Sequence, residues 1–306
     1  MAKVSPAPVA DKALGWFPMS PAISDPMCEI AHAGTLAGAA LLQRRVMLLE
    51  DRVIVVTGAA GIAAACAKVF AAEGATIHVI SVVETECAEL VEKLGGAASF
   101  YVADLSDEES AERGFAACLG RHGRIDGLFA AAGASGRPFG DGRIEHISLD
   151  AWNQTLAANL TPAFLSAREA IRVMLGAGRG GSIVLVGSVL AAHPSHYFET
   201  HAYAAAKGGV VSLCRTAASA HAGDGIRVNV LAPGLVRTAM SQRAADDPVI
   251  VAYSEAKQPL ASGFIEPYDI AGTGLFLLSD LAARVTGQVI EVDAGWGVME
   301  SGPRPS

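Results

Sequence analysis

The chain has 306 residues, 51% of them hydrophobic and 18% charged, with a formal net charge of −8. That length supports a large buried core, and the composition excludes extensive disorder outside the ends. An acidic balance with no basic stripe argues against nucleic acid as a partner.

Residues 1–50 read as an extension. Pro6, Pro8, Pro18, Pro21 and Pro26 exclude long regular structure before residue 26. Asp25-Pro26 then resembles a helix start, an N-cap followed by proline. A helix from there to about Leu49 is expected, as a packing arm on the domain or on a neighbouring subunit. Met1 to Ser20 lacks the basic start and apolar run of a signal peptide. The apolar stretch Ala31 to Leu42 is too short to span a bilayer. A cytoplasmic location and no membrane partner are therefore expected. The five cysteines, Cys28, Cys66, Cys87, Cys118 and Cys214, show no Cys-x-x-Cys spacing. They read as reduced packing residues.

From residue 51 strands and helices alternate. Arg52 to Val56 is a β-branched run suited to a strand buried on both faces. A helix is expected over Ile62 to Glu73, a strand over Thr76 to Val82, and a helix over Glu84 to Leu94, stopped by Gly95-Gly96. The next strand is Ala98 to Val102, the next helix Asp107 to Gly120, and then a strand runs Gly127 to Ala131. One long helix is expected over Leu149 to Leu175. A strand follows at Ser182 to Val186, a helix at Tyr203 to His221, and a strand at Arg227 to Leu231. Gly234 to Glu266 is the least regular region. A helix, Pro267 to Leu278, and a strand, Val289 to Val292, complete the pattern. Such alternation implies right-handed crossovers and an α/β doubly wound parallel sheet of the Rossmann-like kind. The expected organisation is one catalytic domain, 51–297, between an extension, 1–50, and a tail, 298–306.

The first strand runs into Thr57-Gly58-Ala59-Ala60-Gly61-Ile62, and a helix follows at once. A doubly wound fold binds a dinucleotide at this turn, with the pyrophosphate on the helix N-terminus. An acid that selects NAD belongs at the end of the second strand, where this chain has Ser81. Glu84 and Glu86 come slightly later, and no cation for a 2′-phosphate lies nearby. NAD is therefore expected to be modestly favoured over NADP.

Further on, Tyr203-Ala-Ala-Ala-Lys207 opens a helix with both side chains on one face. A lysine beside a phenol favours the phenolate, as a general acid/base requires. Ser188 ends a strand, where its hydroxyl can hold a substrate oxygen. Asn159, a poor helix former, lies inside a helix and is expected to hold a water.

These motifs resemble the classical short-chain dehydrogenases/reductases (SDR family) over roughly residues 51–297. Thr57-Gly58-Ala59-Ala60-Gly61 resembles the cofactor turn, and Asp104-Leu105 the acid that meets the adenine. Ala130-Ala131-Ala132-Gly133 stands where the family has Asn-Asn-Ala-Gly. Asn159, Ser188, Tyr203 and Lys207 match its catalytic tetrad. Asn229 to Gly234, with Val236 and Thr238, resembles the segment that meets the nicotinamide. Thr286 to Val289 and Val292 to Trp296 match the C-terminal strand. The resemblance implies an NAD(P)-dependent alcohol dehydrogenase or ketoreductase, acting on a small alcohol or ketone as a homodimer or homotetramer. Tyr203 would be the acid/base. Lys207 would lower its pKa and hold the nicotinamide ribose. Ser188 would bind the reacting oxygen, and Asn159 would anchor a proton-relay water. Cofactor contacts are expected at Thr57, Gly58, Gly61, Ile62, Ser81, Asp104, Leu105, Ala132, Gly133, Tyr203, Lys207, Pro233, Gly234, Val236 and Thr238.

The chain also departs from the pattern. Its glycine turn is one residue shorter than the classical form, with Ala63 or Ala64 for the last glycine, and Ala130 and Ala131 replace the usual asparagines. His193, His196, Tyr197, Phe198 and His201 border the substrate pocket by family position. They read as pocket lining or exposed surface, and no metal site is expected. Two other readings stay open: a non-catalytic dinucleotide sensor or subunit, and an NAD-using epimerase. Fold alone does not separate them.

Overall fold

Val53–Thr57 (β1) reads VIVVT, and all five residues are buried. Val53 and Val55 enter one core layer, while Ile54 and Val56 enter the other. A strand buried on both faces needs helices on both sides, and hence parallel strands joined by crossovers. The computed structural model, which describes residues 47–300, has this arrangement.

After β1 come α1 (Gly61–Ala72), β2 (Thr76–Ser81), α2 (Glu84–Leu94), β3 (Ser99–Val102), α3 (Glu108–His122) and β4 (Gly127–Ala130). The second half holds α4 (Leu149–Asn159), α5 (Thr161–Ala177), β5 (Gly181–Val186), α6 (His201–His221) and β6 (Ile226–Pro233). It ends with α7 (Gln242–Ala245), α8 (Pro248–Lys257), α9 (Pro267–Leu278) and β7 (Val289–Val292). The strands form one parallel sheet in the order β3-β2-β1-β4-β5-β6-β7. Phe115 of α3, Met174 of α5 and Cys214 of α6 pack on one face. Phe70 of α1, Leu90 of α2 and Leu277 of α9 pack on the other. This is the doubly wound, Rossmann-like sheet that the alternation implies.

The helix expected over Leu149 to Leu175 is two helices. α4 closes with Leu160 N–H donating to Leu156 O at 2.8 Å. Pro162 has no N–H to continue the ladder onto Ala158, so the chain restarts as α5. Asn159 is thus the last residue of α4 and not an interior one. α6 begins at His201, two residues before Tyr203.

The segment Gly234 to Glu266 also holds more order than its sequence suggests. Asp247 caps α8, its side chain accepting from Val249 N–H at 2.9 Å and Ile250 N–H at 3.4 Å, with Pro248 in the first turn. The Asp-Pro start signal was available there, as at Asp25-Pro26.

The helix expected from Asp25 lies outside the described residues as far as residue 46. Leu49 is fully buried, and its N–H donates to Glu73 O at 2.8 Å. Cys66, Cys87, Cys118 and Cys214 are buried free thiols, as packing residues should be. Among the described residues no helix is long and apolar enough to cross a membrane.

Candidate active site

The sheet order reverses between β1 and β4, and in open α/β sheets ligands bind in the crevice at that point. A cavity of about 820 Å³ opens there, along the carboxyl ends of the strands, within the usual size of a small-molecule or cofactor site. It runs from Ser81, Asp104 and Leu105 at the β2–β3 end to Ser188, Tyr203 and Trp296 at the other. Every expected dinucleotide contact lines it except Thr57. Thr57 is fully buried, and its hydroxyl accepts from Ala132 N–H at 3.0 Å. Its side chain ties β1 to the loop after β4 and does not reach the cavity.

The turn after β1 fits a dinucleotide phosphate. Gly58 sits at φ +94, and a Cβ there would lie 3.3 Å from Ala63 Cβ. Ala60, at the N-cap of α1, makes no side-chain capping bond. No side chain therefore claims the first N–H groups of α1, the feature that makes a helix N-terminus an anion site. Ala59, Ala63, Val82 and Ala103 also line the cavity here. Sequence reasoning passed over them because small apolar side chains carry no chemical signature. Glu86 lines the cavity beside Ser81, whereas Glu84 does not.

At the other end the tetrad positions converge. Lys207 is 5% exposed, and its Nζ donates to Val186 O at 2.9 Å. The same Nζ lies 5.7 Å from the centroid of the Tyr203 ring. Burial pushes the Lys207 ammonium down to about 8. Burial also raises the Tyr203 phenol, and interaction with the Ser188 hydroxyl works against that rise. In the protein by itself, burial sets the direction of the Tyr203 shift. The ammonium stands over the ring face with one proton on a backbone carbonyl, and desolvation dominates.

Asn159 is 1% exposed. Its Nδ2 donates to Thr155 O at 3.0 Å, and its Oδ1 accepts from Ala134 N–H at 3.2 Å. The amide therefore braces the loop after β4 with one N–H and one oxygen lone pair, and the residue also lines the cavity. A Cβ on Gly133 would lie 2.9 Å from Asn159 Oδ1 and 3.6 Å from Lys207 Nζ. Glycine at 133 is what lets the Asn159 amide approach the loop so closely, while the Lys207 distance is an ordinary contact.

Two further residues position or line this end and were missed from sequence. Asp141 is 5% exposed, and its carboxylate accepts from Ala202 N–H and Tyr203 N–H, both at 3.0 Å. It supplies the N-terminal cap that Thr200 does not. Arg137 lines the cavity and donates to Phe198 O. Local periodicity contains no trace of either contact, since both partners are remote in the chain.

The aromatic and histidine segment spreads out. Phe198 lines the cavity and packs on Trp296, with ring centroids 5.8 Å apart. His193 Nε2 pairs with Glu291 at 2.9 Å, His196 stacks on Tyr197, and His201 Nδ1 meets Gly142 O at 2.7 Å. The three imidazoles take separate partners and do not converge.

A doubly wound sheet, a glycine turn at its switch point and a Ser-Tyr-Lys group across the same cavity define a nicotinamide-dependent oxidoreductase scaffold. The chain belongs to the short-chain dehydrogenase/reductase family. Residues 58–297 match the family model described as Enoyl-(Acyl carrier protein) reductase. The chain is 35% identical over 254 residues to a 2,5-dichloro-2,5-cyclohexadiene-1,4-diol dehydrogenase of Sphingobium indicum, covering 81% of this chain and 98% of that protein. It is 35% identical to a D-threitol dehydrogenase of Mycolicibacterium smegmatis, covering 82% of this chain and 94% of that protein. Among solved structures, a short-chain type dehydrogenase/reductase from Mycobacterium ulcerans superposes with a TM-score of 0.76 at 31% identity, covering 83% of this chain and 92% of that one.

Proposed function

We propose that this oxidoreductase interconverts a secondary alcohol and its ketone, with Tyr203 as the acid/base. The observation that carries the reading is the meeting of Tyr203, Ser188 and Lys207 on one wall of the cavity whose far end is the glycine turn. Two relatives, a diol dehydrogenase and a polyol dehydrogenase, agree with an alcohol substrate.

The turn Gly58 to Ile62 and the N-terminus of α1 would hold the pyrophosphate, and Gly234, Val236 and Thr238 the nicotinamide end. When bound, the nicotinamide supplies or takes up the hydride. In the oxidation the carbinol carbon loses a hydride, and its hydroxyl gives a proton to the Tyr203 oxygen. In the reduction Tyr203 returns that proton to the carbonyl oxygen. Ser188 holds the reacting oxygen while its charge changes. Burial alone keeps the phenol protonated, so positive charge must favour the phenolate, and Lys207 is the cation within reach. Asn159, which lines the cavity and braces the loop after β4, would anchor the water of a proton relay.

NAD is the favoured partner. Ser81, Val82, Val83 and Glu86 line the ribose end, and the cavity's lining cations, Arg137, Lys207 and Arg243, all belong to the opposite end. A 2′-phosphate would meet an acid there and no counter-charge.

The test is turnover of the full-length protein with each nicotinamide cofactor against a panel of alcohols and ketones, followed by nicotinamide absorbance. Tyr203→Phe keeps the ring and removes the proton donor. General acid–base help is worth about 10²–10⁴-fold, so kcat should fall by roughly that factor. Near wild-type turnover in the variant would sink the assignment. Cofactor binding without turnover of any substrate would favour a non-catalytic dinucleotide sensor.

A further inference from the structure

Charge is divided along the cavity. Its lining acids, Glu86 and Asp104, sit at the β2–β3 end. At the Tyr203 end the lining charges are all positive: Lys207, Arg137 and Arg243. Lys207 is committed to Val186 O and to the Tyr203 ring. The two arginines are not used by the proposed chemistry.

Arg137 follows the Gly133 loop, and Arg243 belongs to α7, beyond Thr238. Both line the cavity, and burial, then the Arg243 charge, hold the Arg137 guanidinium below its ordinary pKa, with Asp141 and Glu199 acting the other way. Neither acid forms an ion pair with Arg137. Both oxygens of Asp141 are spent on the N-terminus of α6. Glu199 is exposed and does not line the cavity. Arg243, exposed on the cavity rim, has no ion-pair or hydrogen-bond partner among the described residues. An anion bound between two cations that line one cavity would relieve their repulsion further. Around them the wall is apolar: Phe139, Leu190, Phe198, Met240 and Trp296.

We propose that Arg137 and Arg243 form a carboxylate-binding pair, so that the alcohol or ketone substrate of this enzyme carries a carboxylate group. The inference rests on the alcohol–ketone reading above and narrows it to hydroxy acids and oxo acids. Guanidinium groups present planar pairs of N–H donors that match a carboxylate. An apolar wall with two cations in the same lining fits a short acid whose carbon chain lies on Phe198 and Trp296. The carboxylate anchors the molecule and takes no part in hydride or proton transfer. The dinucleotide's own phosphates are placed elsewhere, at the turn Gly58 to Ile62.

The experiment compares acetoacetate, levulinate and 3-hydroxybutyrate with their methyl esters. Binding is measured by calorimetry on the full-length protein saturated with NAD, and kcat/KM is measured alongside. At least one acid should bind about tenfold or more tightly than its ester, as expected for a charge-assisted pair. In R243Q the acid-to-ester ratio should fall towards one through KM, while R243K should keep part of it. R243Q is the cleaner variant, because Arg137 also braces Phe198. Equal binding of acid and ester, or no binding of any acid, overturns the inference. So does a loss in R243Q of affinity for NAD instead of for the acid, which would assign Arg243 to the dinucleotide phosphates. Tighter binding of dihydroxyacetone phosphate than of any acid would replace the carboxylate by a phosphate. Turnover of neutral alcohols with no acid preference leaves the oxidoreductase reading intact while sinking this one. Tight acid binding without turnover does the reverse.

Discussion

Asp141 accepts a hydrogen bond from the backbone N–H of Tyr203 at 3.0 Å, across 62 residues of chain. Its other oxygen takes the N–H of Ala202, also at 3.0 Å. A buried carboxylate at the first turn of a helix satisfies two orphan donors and sits favourably in the helix dipole. Here that helix carries the proposed acid/base, so the cap sets where the phenol stands.

Asp141→Ala should therefore lower both stability and kcat. Loss of a cap costs about 0.5–2 kcal/mol, and the melting temperature should fall accordingly. kcat should fall more than KM rises, because the displaced group is Tyr203 and not a substrate anchor. Asp141→Asn keeps one acceptor oxygen and should recover part of the loss. Unchanged kcat in Asp141→Ala at a temperature where it is folded would show that the cap has no bearing on the site.

For cofactor choice, we expect kcat/KM to favour NAD over NADP by about tenfold, roughly 1.4 kcal/mol. Ser81→Asp should strengthen that preference by offering two acceptor oxygens to the ribose hydroxyls. Glu86→Arg should weaken it, by removing an acid from the cavity and adding a cation. A wild-type preference for NADP would contradict the charge argument. No response to Ser81→Asp would mean that position 81 does not face the ribose.

Stability should decline on acidification within a defined window. His78 on β2 is 1% exposed, and its Nδ1 shares a hydrogen bond with Ser99 Oγ at 2.8 Å. Ser99 Oγ also meets His122 Nε2 at 2.7 Å. His78 Nε2 is buried with no hydrogen-bond partner among the described residues. Burial, followed by the nearby His122, pushes the His78 imidazole down from 6.5 to about 4. In that window the unfolded chain binds a proton on this residue and the folded protein does not. Stability is therefore full above the upper value and is lost as pH falls towards the lower one, by about 3 kcal/mol for this group. Denaturant titrations at about pH 7 and about pH 4.5 should show the loss, and His78→Gln should flatten it. An equally steep acid limb in that variant would assign it to other groups.

Assembly is expected to be a homodimer or homotetramer. Leu149 at the start of α4 is 74% exposed, and Phe164 and Leu175 of α5 are each 44% exposed. Large apolar side chains left on neighbouring helices suit an interface between copies. Light scattering at micromolar concentration should give a mass of two or four chains. A monomer alone would refute the expectation.

The sequence by itself determined the alternation of strands and helices, because a β-branched run such as Val53–Thr57 can be satisfied only by burial on both faces. It also named Ser188, Tyr203 and Lys207 as candidates, being polar groups at a strand end and a helix start, and the fold brings all three to one cavity. It misjudged the stretch from Leu149 to Leu175, where apolar periodicity continues across a break caused by Pro162. It placed Thr57 in the cofactor site, although that hydroxyl is used to bind Ala132 N–H.

Only the tertiary structure decided the remaining features. Asp141 and the start of α6, Lys207 and Val186 O, and the two arginines at one end of the cavity are contacts between distant parts of the chain. Periodicity reports which face of an element is buried, but not which remote group meets it. The sign of the Tyr203 shift was decided in the same way. Spacing names the lysine as a neighbour but not the desolvation that raises the phenol, because burial is a property of the whole packing and not of a four-residue motif.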